Sequence, residues 1–215
     1  MESLLIRCVR HFRARRMTRF IRELGVTAET TILDVGGTPL NWSLLPFRPR
    51  VALLNTTREE RPESGWIFVA GDGRSLPFRD RSFDIVFSNS VIEHVGEKAG
   101  QRRFASEVAR VGRSYWIQTP DRHFPVEPHL LTPFLHFLSA RVQAWIARRF
   151  TIWALLVRPT PDRWKFYIEH YLCDIRLLSS RDMENLFPGA QIRRERFLGM
   201  SKSLIAVRGD ELTKK

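Results

Sequence analysis

The sequence predicts an α/β fold: a mostly parallel sheet with helices on its faces. Three observations carry the prediction. Short apolar runs rich in β-branched residues recur along the chain. Segments of helical spacing separate several of them, and glycines, acids or amides stand where the runs stop. The most informative stretch is Thr31 to Trp42, where an apolar run ends abruptly at Gly36-Gly37. Paired glycines let the backbone approach a ligand with no Cβ in the way. Thr38 then suits an N-cap and Pro39 a first helical residue, so a helix should start with its unpaired N–H groups aimed back at the turn.

Taken in order, residues 1–24 form a basic amphipathic helix. Leu5, Val9, Phe12, Met17, Ile21 and Leu24 recur at helical spacing, and Arg7, Arg10, Arg13, Arg15, Arg16, Arg19 and Arg22 fill most of the remaining surface. The first strand is Thr31 to Val35. A short helix from Pro39 to Leu45 is cut by Pro46, and Arg50 to Asn55 is the second strand. A polar loop, Thr56 to Gly65, precedes a third strand at Trp66 to Ala70, which ends at Gly71-Asp72-Gly73. Phe83 to Ser88 is the fourth strand. Glu97 to Val111 carries Phe104, Val108 and Val111 at helical spacing and makes a crossover helix, and Ser114 to Gln118 is the fifth strand. Near the end, Ser179 to Phe187 is a capped helix stopped by Pro188-Gly189, and Gln191 to Phe197 with Lys202 to Val207 forms a closing antiparallel pair.

Residues 121–178 interrupt this alternation. The segment opens on the proline-rich Asp121 to His129, then presents Leu138, Val142, Trp145, Ile146 and Trp153 as one helix face opposite Arg141, Arg148 and Arg149. A second aromatic cluster follows at Trp164, Phe166, Tyr167 and Tyr171. Plain helical cover and a lid over a ligand held above the fifth strand are both open readings.

A chain of 215 residues with 43% hydrophobic content suits one α/β domain with an insertion. Cys8 and Cys173 lack ligand spacing, so no disulfide framework is expected and a reducing cytoplasm fits. The arginines after Ile6 leave no secretory core, and no apolar stretch is long enough to span a bilayer, which makes the protein soluble or peripheral at a membrane. The Arg-rich start also has features of a transit peptide, against which Glu2 and Glu23 count. Net charge is +12. Residues 1–23 supply +5 of it, seven arginines less two acids, and residues 121–178 supply +3, eight bases less five acids. Such a field favours anionic partners, whether carboxylated or phosphorylated substrates, acidic lipid or nucleic acid; a merely solvated basic surface is the alternative.

The segment Val69 to Val95 decides between functional classes. Gly71-Asp72, the turn Leu76-Pro77-Phe78 and Phe83-Asp-Ile-Val-Phe-Ser-Asn-Ser90 follow the glycine turn in an order and spacing that resemble the class I S-adenosylmethionine-dependent methyltransferases, over residues 28–120. The resemblance implies a Rossmann-like, doubly wound, seven-stranded sheet whose last strand is antiparallel. It also implies a cofactor site. Asp34, Gly36 and Gly37 would line the methionine end of S-adenosylmethionine, and Asp72, with Gly73 beside it, would accept from the adenine amino group. Ser88, Asn89 and Ser90 would lie near the methyl group. Asn55 stands where the family commonly has a ribose-gripping acid; it lacks the charge, so weaker affinity is expected. Thr38 and Leu40 replace later glycines of the turn.

His94 falls just past the fourth strand and is the candidate base for an acceptor proton, or a residue that only shapes the pocket. His123, Glu127 and His129 are expected to contact the acceptor. As a metal trio they would lack a fourth ligand and be separated by prolines, so no metal site is expected. A nicotinamide dehydrogenase is disfavoured because Gly36 to Asn41 is not G-x-G-x-x-G. A non-catalytic cofactor- or nucleic-acid-binding protein on a degraded scaffold remains the alternative, though no RNA-reading module is recognisable. The expected acceptor is small or lipid-like and anionic or aromatic, met in the cytoplasm or at a membrane surface.

Overall fold

The computed structural model describes residues 4–57 and 65–209, the side chains of residues 4–10 excepted. The middle of the polar loop expected at Thr56 to Gly65, and the first residues of the basic start, lie outside the described residues. Along the chain come α1 (Leu4–Leu24), β1 (Thr31–Val35), α2 (Pro39–Trp42), β2 (Arg50–Asn55), β3 (Ile67–Ala70), β4 (Phe83–Asn89), α3 (Lys98–Val111) and β5 (Gly112–Pro120). The insertion contributes a two-residue hairpin, β6 (Val126–Glu127) and β7 (Thr132–Pro133), then α4 (Ala140–Ala147), α5 (Ile152–Val157) and α6 (Pro161–Asp174). The chain closes with α7 (Ser180–Leu186), β8 (Gln191–Phe197) and β9 (Met200–Arg208).

One sheet of seven strands in the order β3-β2-β1-β4-β5-β9-β8 organises the molecule. β1 to β5 pair in parallel and β9 runs antiparallel to both its neighbours, as the resemblance implies. Successive strand residues face opposite sides. Ile32, Leu53, Ile85, Phe87, Trp116 and Ile205 therefore meet Met17, Phe20 and Leu24 of α1 on one face. Leu33, Leu54, Val86, Tyr115, Ile117 and Leu204 meet Phe104 and Val108 of α3 and Met183 and Phe187 from the α7 segment on the other. The strand order reverses between β1 and β4, and α/β folds of this kind bind ligands at the carboxyl ends of the strands beside such a switch.

Three expectations change. The helix after the glycine turn ends at Trp42 rather than Leu45. The apolar face expected over Leu138 to Trp153 is split, because Thr151 accepts from the Ala154 N–H and starts a new helix. Val142 and Trp145 are exposed, while Ala147 and Trp153 are buried. Arg16, assigned to the solvated arginine face, is also buried. Its stripe neighbours lie against the sheet, and the insertion keeps a separate core of Leu130, Leu135, Ala147, Ile168 and Tyr171.

Candidate active site

At the end of β1 the Asp34 side chain is fully buried; its Oδ2 accepts from the Trp42 indole N–H at 2.8 Å, and its Oδ1 has no partner among the described residues. Burial pushes the carboxyl up to about 7, against the opposing effect of the Trp42 bond. Gly36 follows at φ +74°, and a Cβ there would stand 2.4 Å from Val91 Cγ2. At Gly37 a Cβ would fall 2.0 Å from the Asp34 carboxyl carbon. The turn thus needs both glycines, one for its backbone conformation and one to make room for the acid.

The next two strand ends are differently committed. Asn55 donates from Nδ2 to the Gly37 carbonyl at 2.9 Å, so β2 holds the glycine turn of β1 in place. Asp72 is closed by Arg74: the guanidinium reaches both carboxylate oxygens, with the shortest contact 2.7 Å, and the Arg74 N–H adds a bond of 2.8 Å to Oδ1. These bonds hold the Asp72 carboxyl below its ordinary value. Contact with an adenine amino group would have to share those oxygens. Gly73 has a packing reason of its own, since a Cβ there would meet Phe104 and Val35 at 2.9 Å.

Beyond β4, Ser88 is buried and donates its hydroxyl to the Val35 carbonyl at 2.9 Å, which ties β4 to β1. Ser90 sits in the left-handed region at φ +58°, uncommon for a residue with a side chain, with Oγ donating to Gln118 Oε1 at 3.0 Å. Arg16 donates to Asn89 Oδ1, to Gln118 Oε1 at 3.2 Å, and by two nitrogens to both carboxylate oxygens of Glu195 at 3.1 and 2.6 Å. Sequence reasoning missed this junction of α1, β4, β5 and β8. The polar pair Gln118-Thr119 at the end of an otherwise apolar strand was its one legible sign.

The short helical turn Ile92–His94 carries the remaining chemistry. Glu93 is fully buried; Oε2 accepts from the Thr119 hydroxyl at 3.0 Å, and no other described residue donates to Oε1. Burial pushes this carboxyl up to about 7. His94 Nε2 lies 3.3 Å from His129 Nε2, and His129 Nδ1 lies 2.8 Å from Oε1 of the buried Glu127. Burial first, then the neighbouring imidazoles of His129 and His170, push His94 down to about 4. A ring that weakly basic orients a partner better than it keeps a proton. Of the three residues expected at the mouth of β5, Glu127 and His129 come together with His94. His123 does not: its backbone N–H and Nδ1 turn to Asp121 Oδ1, at 2.9 and 3.3 Å.

The sequence profile described as Methyltransferase domain matches residues 46–114. The fold is the Rossmann-like one of methyltransferases. A methyltransferase candidate of Encephalitozoon cuniculi is 33% identical over 96 residues, 44% of this chain and 46% of that protein, so the match spans about half the relative's length. A SAM-dependent methyltransferase of Methanosarcina mazei superposes with a TM-score of 0.50 at 11% identity, over 87% of this chain and 94% of that one. A methyltransferase candidate from an antibiotic biosynthesis pathway of Anabaena variabilis superposes with a TM-score of 0.53 at 17% identity, over 85% of this chain and 64% of that one. On this methyltransferase scaffold the Asp34 turn, Asn55, Asp72 and the Ser88 to Ser90 segment fall at the carboxyl ends of β1 to β4. Among the described residues no helix is long and apolar enough to cross a membrane.

Proposed function

We propose that this chain transfers a methyl group from S-adenosylmethionine to a small or lipid-like acceptor bearing an anionic or aromatic group. The observation that carries the donor half is Asp34 Oδ1, a buried and unpartnered acceptor beside two glycines that leave the backbone bare. Such an atom costs stability unless something donates to it, and the ammonium end of an amino-acid moiety suits it. When bound, S-adenosylmethionine supplies an electrophilic methyl on a sulfonium. The chain's part is then alignment and exclusion of water. Asp34 and the Gly36-Gly37 turn would hold the amino-acid end, Asn55 would offer Oδ1 to a ribose hydroxyl while its amide steadies the turn, and Asp72 would meet the adenine by sharing its oxygens with Arg74. Arg16 and Gln118 fix the far end of β4. His94, neutral at pH 7, would accept a hydrogen bond from the acceptor.

The acceptor half rests on the cavity between α3 and the insertion, about 940 Å³, lined by Arg102, Arg122, Arg148 and Arg176 beside Tyr171 and Leu172. It adjoins the turn that bears His94, because the Arg176 N–H donates to the Glu93 carbonyl at 2.8 Å. Four guanidinium groups and Lys98, against Glu97 and Asp182, leave the wall net positive beside Tyr171 and Leu172, which favours a carboxylate or phosphate on a partly apolar body. Isothermal titration with S-adenosylhomocysteine, followed by an acceptor screen with methyl-labelled donor, tests both halves. Absence of heat with S-adenosylhomocysteine overturns the donor assignment; label transferred only to small cationic acceptors overturns the acceptor class.

A further inference from the structure

We propose that Glu93, His94 and His129 form a binding site for a divalent transition metal of the zinc class, with one coordination position left open. Each residue offers one ligand atom, and the three atoms lie within 4.8 Å of one another. Two nitrogens bound about 2.05 Å from a tetrahedral ion stand about 3.3 Å apart. The two Nε2 atoms are separated by 3.3 Å.

Three further features point the same way. Glu127 is fully buried, its Oε2 taken by the Leu130 N–H at 2.5 Å, so Oε1 receives the proton of His129 Nδ1. That leaves the His129 Nε2 lone pair directed at His94, the carboxylate-to-histidine arrangement that orients metal-bound imidazoles. Glu93 brings a buried carboxylate whose Oε1 no other described residue satisfies. A direct N–H···N bond between the rings explains the 3.3 Å separation but leaves that oxygen an orphan. Two imidazoles and one carboxylate suit zinc, cobalt or iron and not magnesium, which takes oxygen ligands. Three protein ligands with a fourth position open is the pattern of a reactive metal, not a structural one. A hydroxyl bound there would have its pKa lowered, so with the ion in place the metal, rather than the His94 ring, would receive the acceptor and ease removal of its proton. The ligands come from two parts of the chain, the turn after β4 and the β6-β7 hairpin, so the ion would also pin the insertion to the scaffold.

Metal binding here does not depend on the methyl-transfer reading and is tested without activity. The full chain, tag-free and stripped with chelator, is titrated with Co²⁺ while visible absorption is recorded, and with Zn²⁺ by calorimetry. The expected result is one equivalent bound, with the intense bands of four-coordinate cobalt. His94→Ala and His129→Ala should each weaken binding at least roughly 100-fold, and Glu127→Gln by roughly 10- to 100-fold. The wild-type cobalt spectrum needs no variant and so is immune to misfolding. No band and no zinc heat at one equivalent overturn the proposal, as does unchanged affinity in the His94→Ala/His129→Ala double variant. S-adenosylhomocysteine binding followed in parallel reports on the donor site alone, so failure there and failure to bind metal are told apart.

Discussion

The Asn55 carboxamide donates to the Gly37 carbonyl at 2.9 Å, so the residue that replaces an acid at the end of β2 braces the turn at the end of β1. A carboxylate cannot donate that bond. Asn55→Asp should therefore weaken S-adenosylhomocysteine binding by about 5- to 30-fold, the equivalent of about 1 to 2 kcal/mol, even though it adds charge at the end of β2, where a ribose contact is proposed. Tighter binding would show that ribose contact outweighs the brace.

Gly36 combines φ +74° with a Cβ position 2.4 Å from Val91. Gly36→Ala should lower the melting temperature and weaken cofactor binding. Adding Val91→Ala should recover the steric share but leave roughly 1 to 2 kcal/mol of backbone strain. Full recovery in the double variant, by thermal melts, would mean that the backbone relaxes freely.

Asp34 carries a stability cost that depends on pH. Its carboxyl stands at about 7 folded against 3.8 ordinarily, so below pH 3.8 both states hold the proton and the cost is absent. Between these values only the folded state keeps it, and stability falls as pH rises; above 7 the cost is complete. At full size it is on the order of 4 kcal/mol. Urea unfolding of cofactor-free protein from about pH 4.5 to 8 should show this decline together with a like one from Glu93, so Asp34→Asn should flatten about half of the slope. An identical slope in the variant would place the titration elsewhere.

Arg74 holds both oxygens of Asp72. If the acid also grips the adenine, Arg74→Ala should tighten S-adenosylhomocysteine binding several-fold and Asp72→Ala should weaken it at least tenfold. Equal affinities in wild type and both variants would make Asp72 a turn cap and nothing more.

The insertion exposes Phe134, Trp145, Phe150, Leu155 and Phe166, and Arg149 lies 4.6 Å over the Trp145 ring. Vesicles of anionic lipid should sediment the protein at low salt and release much of it at high salt. Trp145→Ser with Phe166→Ser should reduce retention on vesicles without changing cofactor affinity. Retention unaffected by either change would assign these residues to ordinary cover.

The scaffold is legible in the sequence because its strands end where polarity ends. Arg50 to Asn55 and Gln191 to Phe197 agree with the structure to the residue. The glycine turn is legible for the same reason. What the sequence hides is partnership at long range. Arg16 reads as one arginine among seven, and only the fold brings it to Asn89, Gln118 and Glu195. Likewise His129, 35 positions after His94, reads as a loop residue until the hairpin turns it back. The insertion is least legible, since its apolar residues are divided between a small private core and open surface, and helical spacing alone does not tell the two apart.

Arg16 and Glu195 are 179 positions apart. At synthesis rates of about 5 to 20 residues per second, the guanidinium waits roughly 10 to 35 s on the ribosome before its carboxylate exists. Until then the helix that bears it cannot seat on the sheet without burying an uncompensated cation. The helix α1, made before every strand of the sheet, is thus among the last of these elements to dock, and a nascent chain cut short after β5 would leave that helix as an exposed, apolar and basic segment open to chaperones and proteases.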